Sequence, residues 1–237
     1  WAAKPSAFKE NPWMIVRHEV LVTFEGIARL AAAVSRPLQI VYASSAGAIY
    51  GEAQGKLTEE TPLQPISPYG LGKQQIEASL AFLSRTTAHE FRILRISNPV
   101  GRHQVAANHG LISVALRKTL QREVLRIFGA LDVERDFVDA DDVADAIWRA
   151  GQPHGPKFGT WNVGLGTSSS IREVLDGIAS VTGMKTVIEI ERARGFDVQK
   201  VDLSTERFRA DFGWQPRHAL IEIIEKVHRE IVGAQPQ

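Results

Sequence analysis

The segment LQIVYA at residues 38–43 points most directly to the fold class of this chain. It is almost continuously apolar, as expected of a strand that is buried on both faces of a parallel sheet. FRILRI at residues 91–96 is predicted to be a second strand, and a long helical pattern separates the two runs. Strand and helix patterns that alternate in this way predict a doubly wound α/β fold.

Helical periodicity between these strands begins at SPYGLGK, residues 67–73. Ser67 suits the N-cap, and Pro68 suits the first helical position, where its missing N–H costs nothing. Tyr69 and Lys73 are then one turn apart on the same helix face. A lysine ammonium and a helix N-terminus both favour a phenolate, so both are expected to lower the pKa of Tyr69. The pair is weak evidence alone, but a tyrosine tuned in this way accepts a proton from a substrate hydroxyl.

The remaining segments continue the alternation of helices and strands. Helices are predicted at 13–34, 111–120, 170–182, 204–212 and 218–232, and strands at 124–128 and 160–163. Residues 97–101 are predicted to form a turn, and residues 135–139 to lead into a helix that carries several aspartates. Because these aspartates lack the spacing and the glycine of a calcium loop, they fit the first turn of a helix, where negative charge is favourable.

Polar residues follow the first two predicted strands at their carboxyl ends, where ligands of doubly wound sheets bind. Ser44 and Ser45 follow the first strand, and Asn98 follows the second. Tyr69, at the start of its helix, can reach the same edge. Simpler interpretations stay open, because the serines can cap a turn and Asn98 before Pro99 is a common turn pair.

The composition narrows the classes of function. The 237 residues carry a net charge of +1, which does not indicate binding to nucleic acid or to an anionic membrane. The absence of cysteine excludes disulfides, thiolate catalysis and cysteine-metal sites, and the seven scattered histidines predict no metal site. No signal peptide or membrane-spanning run is visible, so a cytoplasmic location is expected.

Five segments in sequence order carry a resemblance to a known family. They are Ala43-Ser44-Ser45…Ile49-Tyr50-Gly51, Ser67-Pro68-Tyr69…Lys73, Leu94-Arg95…Asn98-Pro99-Val100-Gly101, Arg135-Asp136-Phe137-Val138…Asp142-Val143-Ala144 and Arg194-Gly195-Phe196-Asp197. Together, at this spacing, they resemble the extended short-chain dehydrogenase/reductase family, the NAD-dependent nucleotide-sugar epimerases and dehydratases. The third segment is most similar to the UDP-glucose/UDP-galactose 4-epimerase branch.

The resemblance implies a Rossmann-like doubly wound parallel sheet with a smaller α/β substrate-binding domain. The NAD-binding domain would comprise residues 1–101 and 135–166, and the nucleotide-sugar domain residues 102–134 and 167–237. The family opens with a glycine-rich turn that holds the dinucleotide pyrophosphate, and this chain has no such turn. We therefore expect an N-terminally incomplete NAD-binding domain without its first strands, and weak binding of NAD by this chain alone.

The resemblance also implies roles for individual residues. Tyr69 would be the catalytic base, Lys73 its cationic partner, and Ser45 a hydrogen-bond partner of the reacting sugar oxygen. Because the loop after Ser45 has one more residue than the common pattern, Ser44 is an alternative. The residues implied to bind NAD are Lys4, Ala43, Ser44, Tyr69, Lys73, Ile96 and Asn98. Those implied to bind the nucleotide sugar are Ser45, Asn98, Asn108, Leu111, Ile127, Phe128, Arg135, Arg194 and Asp197.

The implied activity is NAD-dependent epimerisation of a nucleotide sugar through a transient 4-keto intermediate. Arg135 and Arg194 would converge on the substrate diphosphate, which suits guanidinium groups. The 4,6-dehydratases of the family usually carry an Asp-Glu pair where this chain has residues 46–49 without an acid, so a dehydratase ranks below an epimerase. A nucleotide-sugar reductase and a non-catalytic relative with the same fold are further alternatives. The family also implies a homodimer through the helices 13–34 and 68–87.

Overall fold

The computed structural model describes residues 12–101, 104, 110–193 and 198–233. The helices are α1 (Pro12–Ile15), α2 (Val22–Ala33), α3 (Ala46–Ile49), α4 (Pro68–Thr86), α5 (Leu111–Gln121), α6 (Ala140–Ala150), α7 (Ile171–Thr182), α8 (Glu206–Phe212) and α9 (Leu220–Gly233), and a π-helical segment, Val16–Leu21, joins α1 to α2. The strands are β1 (Gln39–Ser45), β2 (Glu90–Ile96), β3 (Asn98–Val100), β4 (Leu125–Phe128), β5 (Glu134–Asp139), β6 (Phe158–Val163), β7 (Ser168–Ser170) and β8 (Ile188–Glu191).

A three-stranded parallel sheet carries the candidate site. Its order is β1–β2–β6, with Ala43 paired with Leu94 and Leu94 with Trp161, and β1 is an edge strand within the described residues. These strands coincide with the predicted runs at 38–43, 91–96 and 160–163. The predicted α/β class with a parallel sheet is therefore confirmed.

Both faces of this sheet are covered by helices, as the nearly continuous apolar strands predict. On one face Ile93 packs with Ile76 and Leu80 of α4. On the other face Leu94 packs with Ala146 of α6 and with residues of α8. The alternation of β2 side chains between two clusters makes this strand the centre of a doubly covered layer.

The predicted turn at 97–101 is wrong, because these residues contain β3. Residues 135–139 lead into the helix α6 as predicted, but they also belong to the strand β5, which was not predicted. β3 and β5 pair in parallel, and β5 also pairs antiparallel with β7. Each of these short strands is stabilised by a partner far away in the sequence, which a local pattern does not report.

The second half of the chain builds a separate apolar cluster from α5, α7, α9 and the short strands β4 and β5. β4 and β8 form a two-stranded parallel sheet beside it. The helices predicted at 111–120, 170–182, 204–212 and 218–232 are present. The proposed division of the chain into two domains stays a prediction. No helix within the described ranges is both long and apolar enough to cross a bilayer.

Candidate active site

The N-terminus of α4 lies against the short helix that follows β1. Ser67 caps α4 as predicted, because its Oγ accepts a hydrogen bond from the Gly70 amide at 3.1 Å, and Pro68 lies in the first turn. The approach to α3 is very close, since a Cβ on Gly70 would lie 2.0 Å from the carbonyl oxygen of Ala48. The start of α4, with Tyr69, is thereby held at the carboxyl end of β1.

Lys73 connects α4 to the end of β1. The residue is 7% exposed, and its Nζ donates hydrogen bonds to the Tyr42 hydroxyl at 3.1 Å and to the Ala43 carbonyl at 3.3 Å. The same Nζ is 5.0 Å from the ring centroid of Tyr42 and 5.6 Å from that of Tyr69. The ammonium therefore lies between two tyrosines, one on β1 and one on α4.

The two serines occupy different environments at the end of β1. Ser44 is buried, and within the described part of the chain its Oγ has no hydrogen-bond partner. Ser45 is partly buried and occupies the N-cap position of α3, but its side chain makes no capping bond. Neither hydroxyl caps α3, so neither is committed to this turn. Ala43 is exposed and Ile96 is buried at the same edge.

Asn98 connects this edge to the neighbouring strands. Its Nδ2 donates a hydrogen bond to the Asp136 carbonyl oxygen of β5 at 2.8 Å. A Cβ on Gly47 of α3 would lie 3.9 Å from the Asn98 Oδ1, so the amide stands beside α3. Asn98 and Pro99 do not form the turn that was considered as an alternative, because Asn98 is the first residue of β3.

A cavity of about 1010 Å³ opens beside Asn98, between β3, β4, β5 and α5. Its volume suits an organic ligand of the size of a nucleotide sugar. Residues predicted to bind substrate are brought together in its lining: Asn98, Leu111, Ile127, Phe128 and Arg135. The Arg135 Nη1 donates to the carbonyl oxygens of Glu134 at 2.8 Å and Gln199 at 3.4 Å, which orients the guanidinium group at the cavity.

A buried polar network, which was not predicted, connects α4 to the sheet. Arg95 of β2 donates to the Glu77 Oε2 at 2.8 Å and to the Tyr50 hydroxyl at 2.9 Å. Tyr50 in turn donates to the Asn162 Oδ1 of β6 at 2.7 Å. Burial raises the pKa of Tyr50 although Arg95 opposes the change, so the phenol stays neutral. The Ile49-Tyr50-Gly51 motif thus has a structural role here.

Asp136, in the motif that begins at Arg135, also has a structural role. It is fully buried, and its carboxylate accepts hydrogen bonds from the amides of Leu165 at 2.8 Å and Gly166 at 2.7 Å. Burial raises its pKa, against these hydrogen bonds. A Cβ on Gly164 would lie 2.6 Å from the Asp136 Oδ1, so glycine is needed in this loop.

Four residues predicted to contact ligands lie outside the described residues: Lys4, Asn108, Arg194 and Asp197. The convergence of Arg135 and Arg194 on one diphosphate stays a prediction. Tyr42 is a site residue that sequence reasoning missed. The signal was present in the alternation of side chains along β1, which places Tyr42 and Ser44 on the face that α4 covers.

Residues 3–164 match the NAD dependent epimerase/dehydratase family. The putative UDP-glucose 4-epimerase of Methanocaldococcus jannaschii is 34% identical over 191 residues, covering 80% of this chain and 61% of that protein. The UDP-glucose 4-epimerase of Mycolicibacterium smegmatis is 32% identical over 212 residues, covering 88% of this chain and 67% of that protein. The chain thus spans about three fifths to two thirds of the length of these relatives.

Among solved structures, MoeE5 in complex with UDP-glucuronic acid and NAD has a TM-score of 0.90 at 27% identity, covering 99% of this chain and 78% of that chain. The UDP-glucose 4-epimerase of Thermotoga maritima with UDP-glucose has a TM-score of 0.87 at 25% identity, covering 98% and 75%. NAD, the cofactor predicted from the sequence, is confirmed by the family match and by the MoeE5 complex. Since the match covers more than half of the chain and the fold agrees, this protein belongs to the NAD dependent epimerase/dehydratase family.

Proposed function

We propose that this chain carries the catalytic tyrosine and the substrate pocket of a nucleotide-sugar 4-epimerase. The observation that supports it most is the Tyr69–Lys73 pair at the carboxyl end of β1. Asn98 lines the cavity and stands beside Gly47 of α3, and the start of α4 touches α3 at Gly70. In this proposal the sugar extends from the cavity past Asn98 and α3 to Tyr69.

In this proposal Tyr69 removes the proton from the C4 hydroxyl of the sugar and later returns it. The Lys73 ammonium stabilises the phenolate, and the position of Tyr69 in the first turn of α4 adds the favourable end of the helix dipole. Ser45 bonds the C4 oxygen, with Ser44 as the alternative. The sugar passes through a 4-keto form, and inversion requires that this form turns over before it is reduced.

The residues at the end of β1 fit the nicotinamide and ribose part of NAD. The Lys73 ammonium is present, the buried Ser44 hydroxyl has no partner in the described chain, and the exposed Ala43 presents no bulky side chain. Lys73, Ser44 and Tyr69 would hold the cofactor here, with Ile96 and Asn98 nearby. Bound NAD supplies the hydride acceptor and donor that the epimerisation needs.

The cavity chemistry supports a nucleoside diphosphate sugar as the substrate class. Leu111, Ile127 and Phe128 offer an apolar surface for a base, and Arg135 offers a guanidinium group for a diphosphate. A nucleotide-sugar reductase is the second candidate. Its support is that α3 carries no acid for a dehydration step and that the dTDP-4-dehydro-6-deoxyglucose reductase of Escherichia coli is 28% identical over 194 residues.

The substitution Tyr69→Phe tests this function because it removes only the phenolic oxygen. We expect the turnover of UDP-glucose and UDP-galactose in the presence of NAD to fall by about 10²–10⁴-fold, the usual contribution of a general base. Binding of the nucleotide sugar, measured by calorimetry, should change little. Gln75→Ala, at an exposed position of the same helix, is the matched control and should keep normal turnover.

Activity of Tyr69→Phe within a few-fold of the unaltered protein would remove Tyr69 from the mechanism. The products separate the two candidates. Interconversion of the two UDP-sugars without net consumption of a reduced cofactor supports an epimerase. Reduction of a 4-keto sugar at the expense of reduced NAD supports the reductase.

A further inference from the structure

Tyr42 is the second phenol in contact with the Lys73 ammonium, and the proposed function assigns it no role. Its oxygen accepts a hydrogen bond from the Lys73 Nζ at 3.1 Å. It comes from β1, whereas Tyr69 comes from α4. The site thus places one cation between two chemically identical groups on different elements.

The Lys73 ammonium needs anchors because it is buried. A charged group taken out of water is costly unless hydrogen bonds replace its hydration. The ammonium has three N–H groups, and two of them go to β1, to the Tyr42 hydroxyl and to the Ala43 carbonyl at the longer distance of 3.3 Å. If the Tyr42 oxygen were lost, the ammonium would keep one of these two hydrogen bonds, the longer one to the Ala43 carbonyl.

The backbone decides which of the two phenols is suited to ionise. Tyr69 is the second residue of α4, where the unpaired amides and the helix dipole favour negative charge. Tyr42 lies within a strand and has no helix terminus behind it. Tyr69 combines the nearby ammonium with a helix terminus, whereas Tyr42 has the ammonium alone, so Tyr69 is the better placed of the two to carry the charge.

Other charged or titratable groups on the elements packed against α4 are engaged elsewhere or exposed. Glu77 and Arg95 are paired with each other, and Tyr50 is bonded to Arg95 and Asn162. Arg92 donates to the carbonyls of Ala150, the last residue of α6, and Gln152. The remaining described side chains are Glu90, near Lys157, and the exposed Arg17, Glu25 and Arg29. Among the side chains that the structure describes, the Lys73 ammonium is therefore the cation placed beside the Tyr69 ring.

We propose that Tyr42 is a positioning residue whose hydroxyl fixes the Lys73 ammonium beside Tyr69 and thereby keeps the Tyr69 phenol easy to ionise. The inference rests on the proposed function of Tyr69 as the base. It adds a residue of β1 to the machinery that controls the proton transfer, two residues before the buried serine of the same strand.

The test follows the ionisation of each tyrosine by NMR. The chain has only three tyrosines, so labelling with [¹³Cζ]tyrosine yields three signals, which the single Tyr→Phe variants assign. In Tyr42→Phe we expect the midpoint of the Tyr69 titration to rise by about half a pH unit or more, which is about a threefold loss of phenolate at a fixed pH below the midpoint. Ile40→Val is the matched control, since Ile40 packs in the same apolar cluster as Tyr42, and it should leave the midpoint unchanged.

A folded Tyr42→Phe protein whose Tyr69 midpoint is unchanged or lower would overturn the proposal. The unaltered protein offers a second test that needs no stable Tyr42 variant: Tyr69 should titrate at lower pH than Tyr42, and the reverse order would contradict the assignment. Failure of the proposed function is seen separately. Normal activity of a Tyr69→Phe protein would show that Tyr69 is not the base. The NMR titration reports the effect of Tyr42 on the ionisation of Tyr69 whether or not Tyr69 is catalytic.

Discussion

Gly70 is the residue through which the position of Tyr69 depends on a neighbouring element. A Cβ at Gly70 would meet the Ala48 carbonyl oxygen at 2.0 Å and the Pro65 Cβ at 2.9 Å. Gly72, two residues later in the same helix, has much more room, because a Cβ there would lie 3.6 Å from the nearest atom, the Val20 Cγ2. The two glycines therefore have different reasons to be in α4.

Alanine substitutions at these two positions are expected to have opposite effects on stability. Gly70→Ala should lower the free energy of unfolding by about 3 kcal/mol, because α4 must move away from α3. Gly72→Ala should raise it by up to about 1 kcal/mol, because glycine is a poor residue for a helix interior. Urea denaturation measures both. Equal effects of the two substitutions would contradict the close contact between α4 and α3.

At the scale of elements, buried charges connect helices to strands and to each other. The Arg95–Glu77 pair holds α4 on β2. Asp142 holds α6 to the segment before α9: its carboxylate accepts hydrogen bonds from the Arg217 amide at 2.9 Å and the Arg217 Nε at 2.7 Å, and lies 3.1 Å from the His218 Nδ1. Burial alone would raise the pKa of Asp142, but the bonds from Arg217 and His218 outweigh burial and keep this pKa below its ordinary value of 3.8.

This connection predicts a loss of stability in acid. The pKa of Asp142 is lower in the folded chain than in the unfolded chain. Its contribution to the free energy of unfolding is therefore present above pH 3.8 and is lost as the pH falls through the folded pKa. Asp142→Asn should lower the free energy of unfolding by about 1–3 kcal/mol at pH 5. The difference in this free energy between the variant and the unaltered protein should shrink toward pH 2.

Asp145→Asn is the matched control for this prediction, because Asp145 forms a more exposed pair with Arg149 on the same helix. Such pairs contribute little, so the control should change the free energy of unfolding by less than about 1 kcal/mol over the same range. The measurement is urea denaturation at a series of pH values. If the loss of free energy of unfolding caused by Asp142→Asn grew toward low pH, the conclusion that folding lowers the pKa of Asp142 would be wrong.

At the scale of the whole molecule, large apolar side chains are exposed on the helices that the family resemblance predicts to form a dimer interface. Trp13 is 70% exposed, Leu21 57% and Val22 61%, and Phe82 of α4 is 52% exposed. Large apolar side chains that are exposed on helices in contact with one another are typical of a protein interface. We propose that a second copy of this chain covers them.

The substitution Val22→Glu tests the dimer. A buried, unpaired carboxylate is costly at an interface, so the dimer should dissociate and the molar mass from light scattering should halve. Val187→Glu is the control, because Val187 is 56% exposed but lies next to β8 in the other half of the chain. A mass that is monomeric before any substitution, or unchanged by Val22→Glu, would contradict the proposal.

Several parts of this protein follow from the sequence alone. The capped start of α4, the shared face of Tyr69 and Lys73, and the buried strands β1, β2 and β6 depend on capping chemistry and on periodicity, which act over a few residues. The order and spacing of the five motifs were sufficient to identify the family that residues 3–164 match.

Only the tertiary structure decided the remaining features. β3 forms because it pairs with β5, and β5 forms because it pairs with both β3 and β7. Neither residues 98–100 nor residues 134–139 carry a strand pattern strong enough to show this. The network of Arg95, Glu77 and Tyr50 and the contact of Tyr42 with Lys73 join side chains 18 to 45 residues apart in the sequence. Such contacts depend on how α4 is seated on the sheet, and that seating is set by packing between elements, which no local pattern encodes.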